Sequence, residues 1–133
     1  MIKRILAAAA ISAVIGGSAA AATARTAHVA LRSVGASHAT GTATVVYDGA
    51  RGATVTLSAR GLTRGTHAAH IHIGHCGKNG DVKYPLTPVT ASAAGVGTSV
   101  TTFPYKLAGA ALYINIHGVP GKPMLIVSCG NLP

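Results

Sequence analysis

The chain has 133 residues, with 11 Lys and Arg against two acidic residues and a formal net charge of +9. About 110 residues remain once an export segment is set aside, which suffices for one domain with one core and excludes a second domain. The positive charge attracts anions and raises their encounter rate, although solubility alone is an equally simple explanation for it.

The chain begins with the pattern of an exported protein. Lys3 and Arg4 precede an apolar stretch and then a run of small residues. This pattern predicts a secretory signal peptide over residues 1–24, cleaved near Ala22 or Ala24. An uncleaved anchor is the alternative, because no further charge occurs in the segment. Removing two of the 11 basic residues leaves nine against two acids, a net charge of +7. We therefore expect a secreted or periplasmic protein with no membrane attachment after cleavage.

The remainder, residues 25–133, is predicted to be all-β. Short runs rich in Val, Ile and Thr alternate with Gly, Pro and Asp, which is typical of strands and turns. Asp48-Gly49, Arg60-Gly61 and Asn79-Gly80 mark three of the turns. Without a helical period between the runs, the pattern indicates an antiparallel sandwich or barrel. The eight predicted strands are Ala27–Val34, Gly41–Tyr47, Ala53–Ala59, Ala68–Ile73, Val82–Val89, Gly97–Phe103, Ala111–His117 and Met124–Cys129.

The histidines suggest a metal site. In the fourth predicted strand, alternation turns His70 and His72 outward and Ile71 and Ile73 inward. In the seventh, the same alternation places His117 on the face away from the core. Three outward imidazoles could converge on one ion, and imidazole suits copper and zinc better than hard cations. The alternative is that these are solvated surface histidines.

The other histidines have different predicted roles. His67 stands at odd spacing to the pair and near a turn, which favours bracing of the loop over metal ligation. His75 follows Gly74 and either curls back as a further ligand or is exposed. We interpret His28 and His38 as ordinary surface residues.

The only two cysteines, Cys76 and Cys129, predict a disulfide, because an exported protein meets oxidising conditions. Closing a loop of about 50 residues would contribute about 4 kcal/mol in the entropic model. For a small domain with few aromatic residues, that is a large share of its net stability.

Residues 61–76 read GLTRGTHAAHIHIGHC, which resembles the G-L-T-x-G-x-H-x-x-H-x-H signature of Cu/Zn superoxide dismutases. Residues 89–96, VTASAAGV, are similar to a later segment of that family, and Cys129-Gly130 is similar to its C-terminal Cys-Gly. The resemblance covers essentially the whole mature chain. It implies an eight-stranded antiparallel Greek-key β-barrel or sandwich of the superoxide dismutase type.

The resemblance also implies roles for individual residues. His70 and His72 match the first two copper ligands of the family and His117 matches the last. His67 matches its structural histidine. The two cysteines match its intramolecular disulfide.

Several features depart from the family pattern. Residues 77–84 contain no histidine and only one acid, Asp81, so no zinc is expected beside the single copper ion. Ile126 occupies the position of the active-site arginine. The segment Leu112–Gly118 also resembles the strand of the chordin-type repeat, which keeps a non-catalytic interpretation open.

Three functions follow as expectations. The first is a copper-only protein resembling superoxide dismutase, whose substrate is superoxide or another small anion. The second is a copper-sequestering envelope protein without turnover, and the third is a metal-free module whose basic surface engages acidic envelope polymers. No feature predicts specific nucleic-acid binding.

Overall fold

The computed structural model describes residues 12–18, 23–49 and 51–133. Most of the predicted signal peptide, residues 1–11 and 19–22, therefore lies outside the described residues. All eight predicted strands are confirmed, with ends that differ by at most three residues. They are β1 Arg25–Ser33, β2 Thr40–Tyr47, β3 Ala53–Arg60, β4 Gly65–Ile73, β5 Val82–Ala91, β6 Gly97–Phe103, β7 Leu112–Val119 and β8 Lys122–Asn131.

The strands form one antiparallel sheet in the order β5-β4-β7-β8-β1-β2-β3-β6. β5 and β6 stand at the two ends of this order but pack against each other, so the sheet is a nearly closed barrel. β7 returns to lie beside β4 after β5 and β6, which is a Greek-key arrangement. The predicted all-β antiparallel barrel is therefore confirmed.

The seam between β5 and β6 is held by side chains instead of a backbone ladder. The Thr87 backbone N–H donates to Thr101 Oγ1 at 2.8 Å, and the two threonine hydroxyls lie 3.2 Å apart. Pro85 and Pro88 in β5 lack the N–H group that a regular ladder requires. The prolines therefore limit the number of backbone hydrogen bonds that β5 can make to its neighbours.

The alternation expected of half-buried strands is clearest in β3, where Val55 and Leu57 are buried and their neighbours are more exposed. Their side chains and those of the other strands meet inside the barrel. β7 differs, since Leu112 through His117 are all buried and both faces of the strand are covered. The largest apolar side chains that are fully buried in the core are Leu31, Val45, Val55, Leu57, Ile71, Val89, Ile114, Ile116 and Val127.

Among the described residues there is no helix of the length and apolarity needed to cross a membrane.

Candidate metal centre

The three histidines stand on the face of the sheet that is turned away from the barrel core. In the register of β4 and β7, His70 lies opposite Asn115 and His72 lies opposite Tyr113. Directly opposed residues of an antiparallel pair project from the same face. The intervening Ile71 is fully buried in the core, as alternation predicts. These strands therefore place His70, His72 and His117 side by side on one face.

The imidazole rings of the three histidines converge. One ring nitrogen from each lies within 4.8 Å of the other two. His70 Nδ1 is 3.2 Å from His117 Nε2, and the ring centroids of His72 and His117 are 5.9 Å apart. Imidazole–metal bonds of about 2 Å keep ligand nitrogens within about 4 Å of each other. The His70–His117 pair already has that spacing.

Hydrogen bonds to backbone carbonyls decide which nitrogens are free. His72 Nδ1 lies 2.8 Å from the Gly80 oxygen, and His117 Nδ1 lies 3.0 Å from the Met124 oxygen. A carbonyl only accepts, so both Nδ1 atoms carry the proton and both Nε2 atoms keep a lone pair. His72 Nε2 is buried and has no hydrogen-bond partner. This donor set suits a transition-metal ion, since outer hydrogen bonds of this kind are what orient metal-binding imidazoles.

Burial favours the neutral form of two of these rings. Desolvation lowers the pKa of His70, and the His117 and His72 rings lower it further. Desolvation also lowers the pKa of His117, which the hydrogen bond with the Met124 carbonyl partly offsets. A pKa below the usual 6.5 leaves both imidazoles neutral near pH 7. Neutral imidazole is the form that binds metal.

Residues 74–81, here named the covering loop, fold back over this face of the sheet. The predicted disulfide is confirmed: Cys76 is bonded to Cys129, and the backbone N–H of Cys76 donates to Asn131 Oδ1 at 2.8 Å. Tyr113 supports the other end of the loop, since its hydroxyl donates to the Lys78 carbonyl at 2.6 Å. The loop is therefore anchored to both β7 and β8.

Only glycine fits where the covering loop meets the metal-site histidines. A Cβ atom at position 80 would overlap the backbone oxygen of Ile73. The absence of a side chain lets the Gly80 carbonyl reach His72 and its N–H donate to the Tyr113 hydroxyl at 2.9 Å. The Tyr113 ring also stacks on His72, with centroids 5.0 Å apart. Gly80 and Tyr113 together fix the orientation of His72.

The covering loop corrects part of the sequence interpretation. His72 and His117 face away from the core as predicted, and because they are only 7% and 4% exposed, the alternative of solvated surface histidines does not hold for them. Ile73 was expected to point inward, yet it is 48% exposed. It is the last residue of β4, where the barrel no longer covers it.

His67 braces the site from the opposite end of β4. Its Nδ1 lies 2.8 Å from the His117 backbone oxygen and its Nε2 lies 2.7 Å from the Thr63 oxygen. Both ring nitrogens thus face carbonyls, and neither takes part in the cluster of three. His67 ties the loop before β4 to the end of β7 that carries His117.

The remaining residues considered from sequence lie elsewhere. His75 is exposed in the covering loop and is not brought into the cluster, and His28 and His38 are exposed as predicted. Asp81 is exposed, with its backbone oxygen accepting from Ile73 N–H. Ile126 is partly buried and pairs with His117 across β7 and β8.

Two residues of this face were not predicted to matter. Tyr113 and Asn115 share the face of His117 by simple alternation, and both are almost completely buried. The sequence signal for their role is that they are polar residues in an otherwise apolar strand. Their contacts depend on the covering loop, which alternation does not locate.

These features define the chain as a small all-β barrel with three clustered histidines beneath a disulfide-anchored loop. The family model of the CHRD domain matches residues 20–121, so the chain belongs to the CHRD domain family. This agrees with the chordin-type resemblance of residues 112–118. The comparison does not support the broader resemblance to Cu/Zn superoxide dismutase. No curated protein matches the chain.

Proposed function

We propose that this protein is an exported copper-binding protein that holds one copper ion through His70 Nδ1, His72 Nε2 and His117 Nε2. The observation that carries the proposal is the arrangement of three convergent nitrogens, two of which are freed by carbonyl hydrogen bonds to the opposite side of their rings. Solvated surface histidines would not need hydrogen bonds to backbone carbonyls that fix the orientation of their rings.

The choice of copper rests on the chemistry of the donors. Three neutral imidazoles without a carboxylate disfavour calcium and magnesium, which prefer oxygen. Zinc accepts the same donors, but copper(II) binds a given nitrogen set more tightly than zinc does. The disulfide suits an oxidising compartment outside the cytoplasm, consistent with a secreted or periplasmic protein.

Each ligand has a distinct task in binding. The carbonyls of Gly80 and Met124 hold His72 and His117 in the required tautomer. In the metal-free pair, His117 Nε2 accepts a hydrogen bond, so the proton shared with His70 belongs on His70 Nδ1. Ion binding requires this proton to move to His70 Nε2, and His70 is exposed enough to exchange it with solvent. Copper, when bound, would supply one-electron redox chemistry.

We expect purified mature protein to bind one equivalent of Cu²⁺, with an electron paramagnetic resonance spectrum showing nitrogen coupling from imidazole. The matched control is His75→Ala, which removes the exposed neighbouring histidine. Because His75 lies outside the cluster, the variant should keep the same stoichiometry and spectrum. A wild-type stoichiometry near zero would contradict the proposal, and a changed spectrum in the variant would make His75 a ligand.

Superoxide dismutation is the second candidate function. It is supported by the motif at residues 61–76, the partly exposed His70 beside the buried His72 and His117, and a net charge that attracts small anions. With Ile126 at the arginine position, attraction would come from the diffuse field alone. Copper-loaded protein should dismute superoxide faster than an equal concentration of His117→Ala treated identically. Equal rates would leave a non-catalytic copper-binding protein.

The net charge of +7 after signal cleavage, nine basic residues against two acids, also supports retention on acidic envelope polymers, which added salt would weaken. This interaction needs no metal. It is compatible with either copper function.

A further inference from the structure

Asn115 is a buried polar residue without a partner. Its side chain is 0% exposed, and neither Oδ1 nor Nδ2 makes a hydrogen bond. Leaving a buried amide unsatisfied is costly, and native proteins rarely do so. A valine or leucine at this position of β7 would pack without that cost. The carboxamide therefore requires an explanation that packing does not supply.

The position of Asn115 points to the histidine cluster. It lies directly opposite His70 on β4 and opposite Cys129 on β8, and it precedes His117 by two residues on the same face of β7. Opposed residues have Cβ atoms about 5 Å apart, and residues two apart on a strand are about 7 Å apart. The Asn115 side chain therefore shares the outer face of the sheet with the three imidazoles and is a strand neighbour of His70 and His117.

Unpartnered polar atoms concentrate on this face of the sheet. Within the described residues, the buried side-chain nitrogens and oxygens without a partner belong to His72, Asn115 and Ser99. Three of these four atoms, His72 Nε2 and both amide atoms of Asn115, lie on the face that carries the cluster. The fourth belongs to Ser99 on β6, a strand that carries none of the three histidines. The proposed ion accounts for His72 Nε2, so among the described residues the Asn115 carboxamide is the buried group of this face that still lacks a partner.

We propose that Asn115 is a positioning residue, whose Nδ2–H donates a hydrogen bond to a small hydrogen-bond-accepting ligand, water or a small anion, held at the ion of the histidine cluster. This inference rests on the proposed copper function and extends it to the class of molecule that would be held beside the ion. An apolar ligand would leave the carboxamide unsatisfied. A small anion is also what the positive charge of the chain attracts.

The test uses Asn115→Leu, which keeps the size of the side chain and removes both polar atoms. Copper-loaded wild type and variant are titrated with azide, a small anion, and followed by the charge-transfer absorption of the complex. Losing a hydrogen bond to an anion should raise the azide dissociation constant about tenfold. In the metal-free protein, the urea midpoint should stay the same or rise, because an unsatisfied amide has been removed.

Ser99→Ala is the matched control, since it removes the other buried unpartnered polar group from a strand outside the site. It should leave azide affinity unchanged. Asn115→Val, which favours a strand, is measured in parallel in case the leucine variant does not fold. Azide affinity within twofold of wild type in the folded Asn115 variants, or an equal loss in Ser99→Ala, overturns the inference and leaves copper binding intact. Failure of wild type to bind Cu²⁺ overturns both.

Discussion

We expect His117→Ala to lower the affinity of the protein for Cu²⁺ by more than about 100-fold, because loss of even an outer partner of a metal ligand costs 10–100-fold. His117 is the ligand that β7 contributes, and without it the two histidines of β4 remain. They lie on a single strand, with ring centroids 5.7 Å apart. Isothermal titration calorimetry, or competition with a chelator of known affinity, measures the loss.

His28→Ala is the control for this experiment. His28 is exposed on β1, and its Nδ1 lies 3.3 Å from Thr44 Oγ1. Its removal should leave Cu²⁺ affinity unchanged. An equal loss in both variants would mean that copper binds surface histidines without selection, and an unchanged affinity in His117→Ala would remove this residue from the site.

The second large effect is expected from the double variant Cys76→Ser and Cys129→Ser. The disulfide closes a sequence separation of 53 residues, so its loss should lower the free energy of unfolding by about 4 kcal/mol. Urea denaturation of the metal-free protein, followed by circular dichroism, measures this change. The free energy of unfolding of a typical domain is about 5–15 kcal/mol, so the variant should be only marginally stable.

The same variant should also bind copper more weakly, by about tenfold, for a structural reason. The disulfide anchors the covering loop, and the Gly80 carbonyl of that loop orients His72. Affinity is measured at a temperature where the variant is folded. A matched control is Asn131→Ala, which removes the acceptor for Cys76 N–H and leaves the disulfide in place. Unchanged affinity in the double variant would show that the hydrogen bonds of Tyr113 and Asn131 hold the loop over His72 without the disulfide.

Membership of the CHRD domain family and the barrel are established independently of any metal. The copper proposal depends on the histidines of β4 and β7 and on the covering loop, which His117→Ala and the disulfide variant test. Superoxide dismutation stays a proposal. The chain departs from the superoxide dismutase pattern at Ile126, which occupies the arginine position, and at residues 77–84, which contain no histidine.

Much of the fold could be predicted because strands and turns are determined largely by residues close together in sequence. Each strand shows period-two alternation of Val, Ile and Thr, and residues such as Gly49 and Gly61 supply the positive φ angles of the turns, 54° and 72°. The three histidines could be grouped because alternation states which face of a strand a side chain occupies. The burial of His72 and the exposure of Ile73 could not be predicted, since both depend on what covers the strand.

The amino-acid sequence by itself determined eight strands, a single possible disulfide and three histidines on faces turned from the core. Only the tertiary structure decided that these histidines meet under a loop and which of their nitrogens remain free. The physical reason is the range of the interactions. Strand alternation depends on neighbouring residues, whereas these contacts depend on how the loop and the strands pack together. The Gly80 carbonyl reaches His72 only when the covering loop folds over the outer face of the sheet, and Tyr113 reaches Lys78 across 35 residues of sequence.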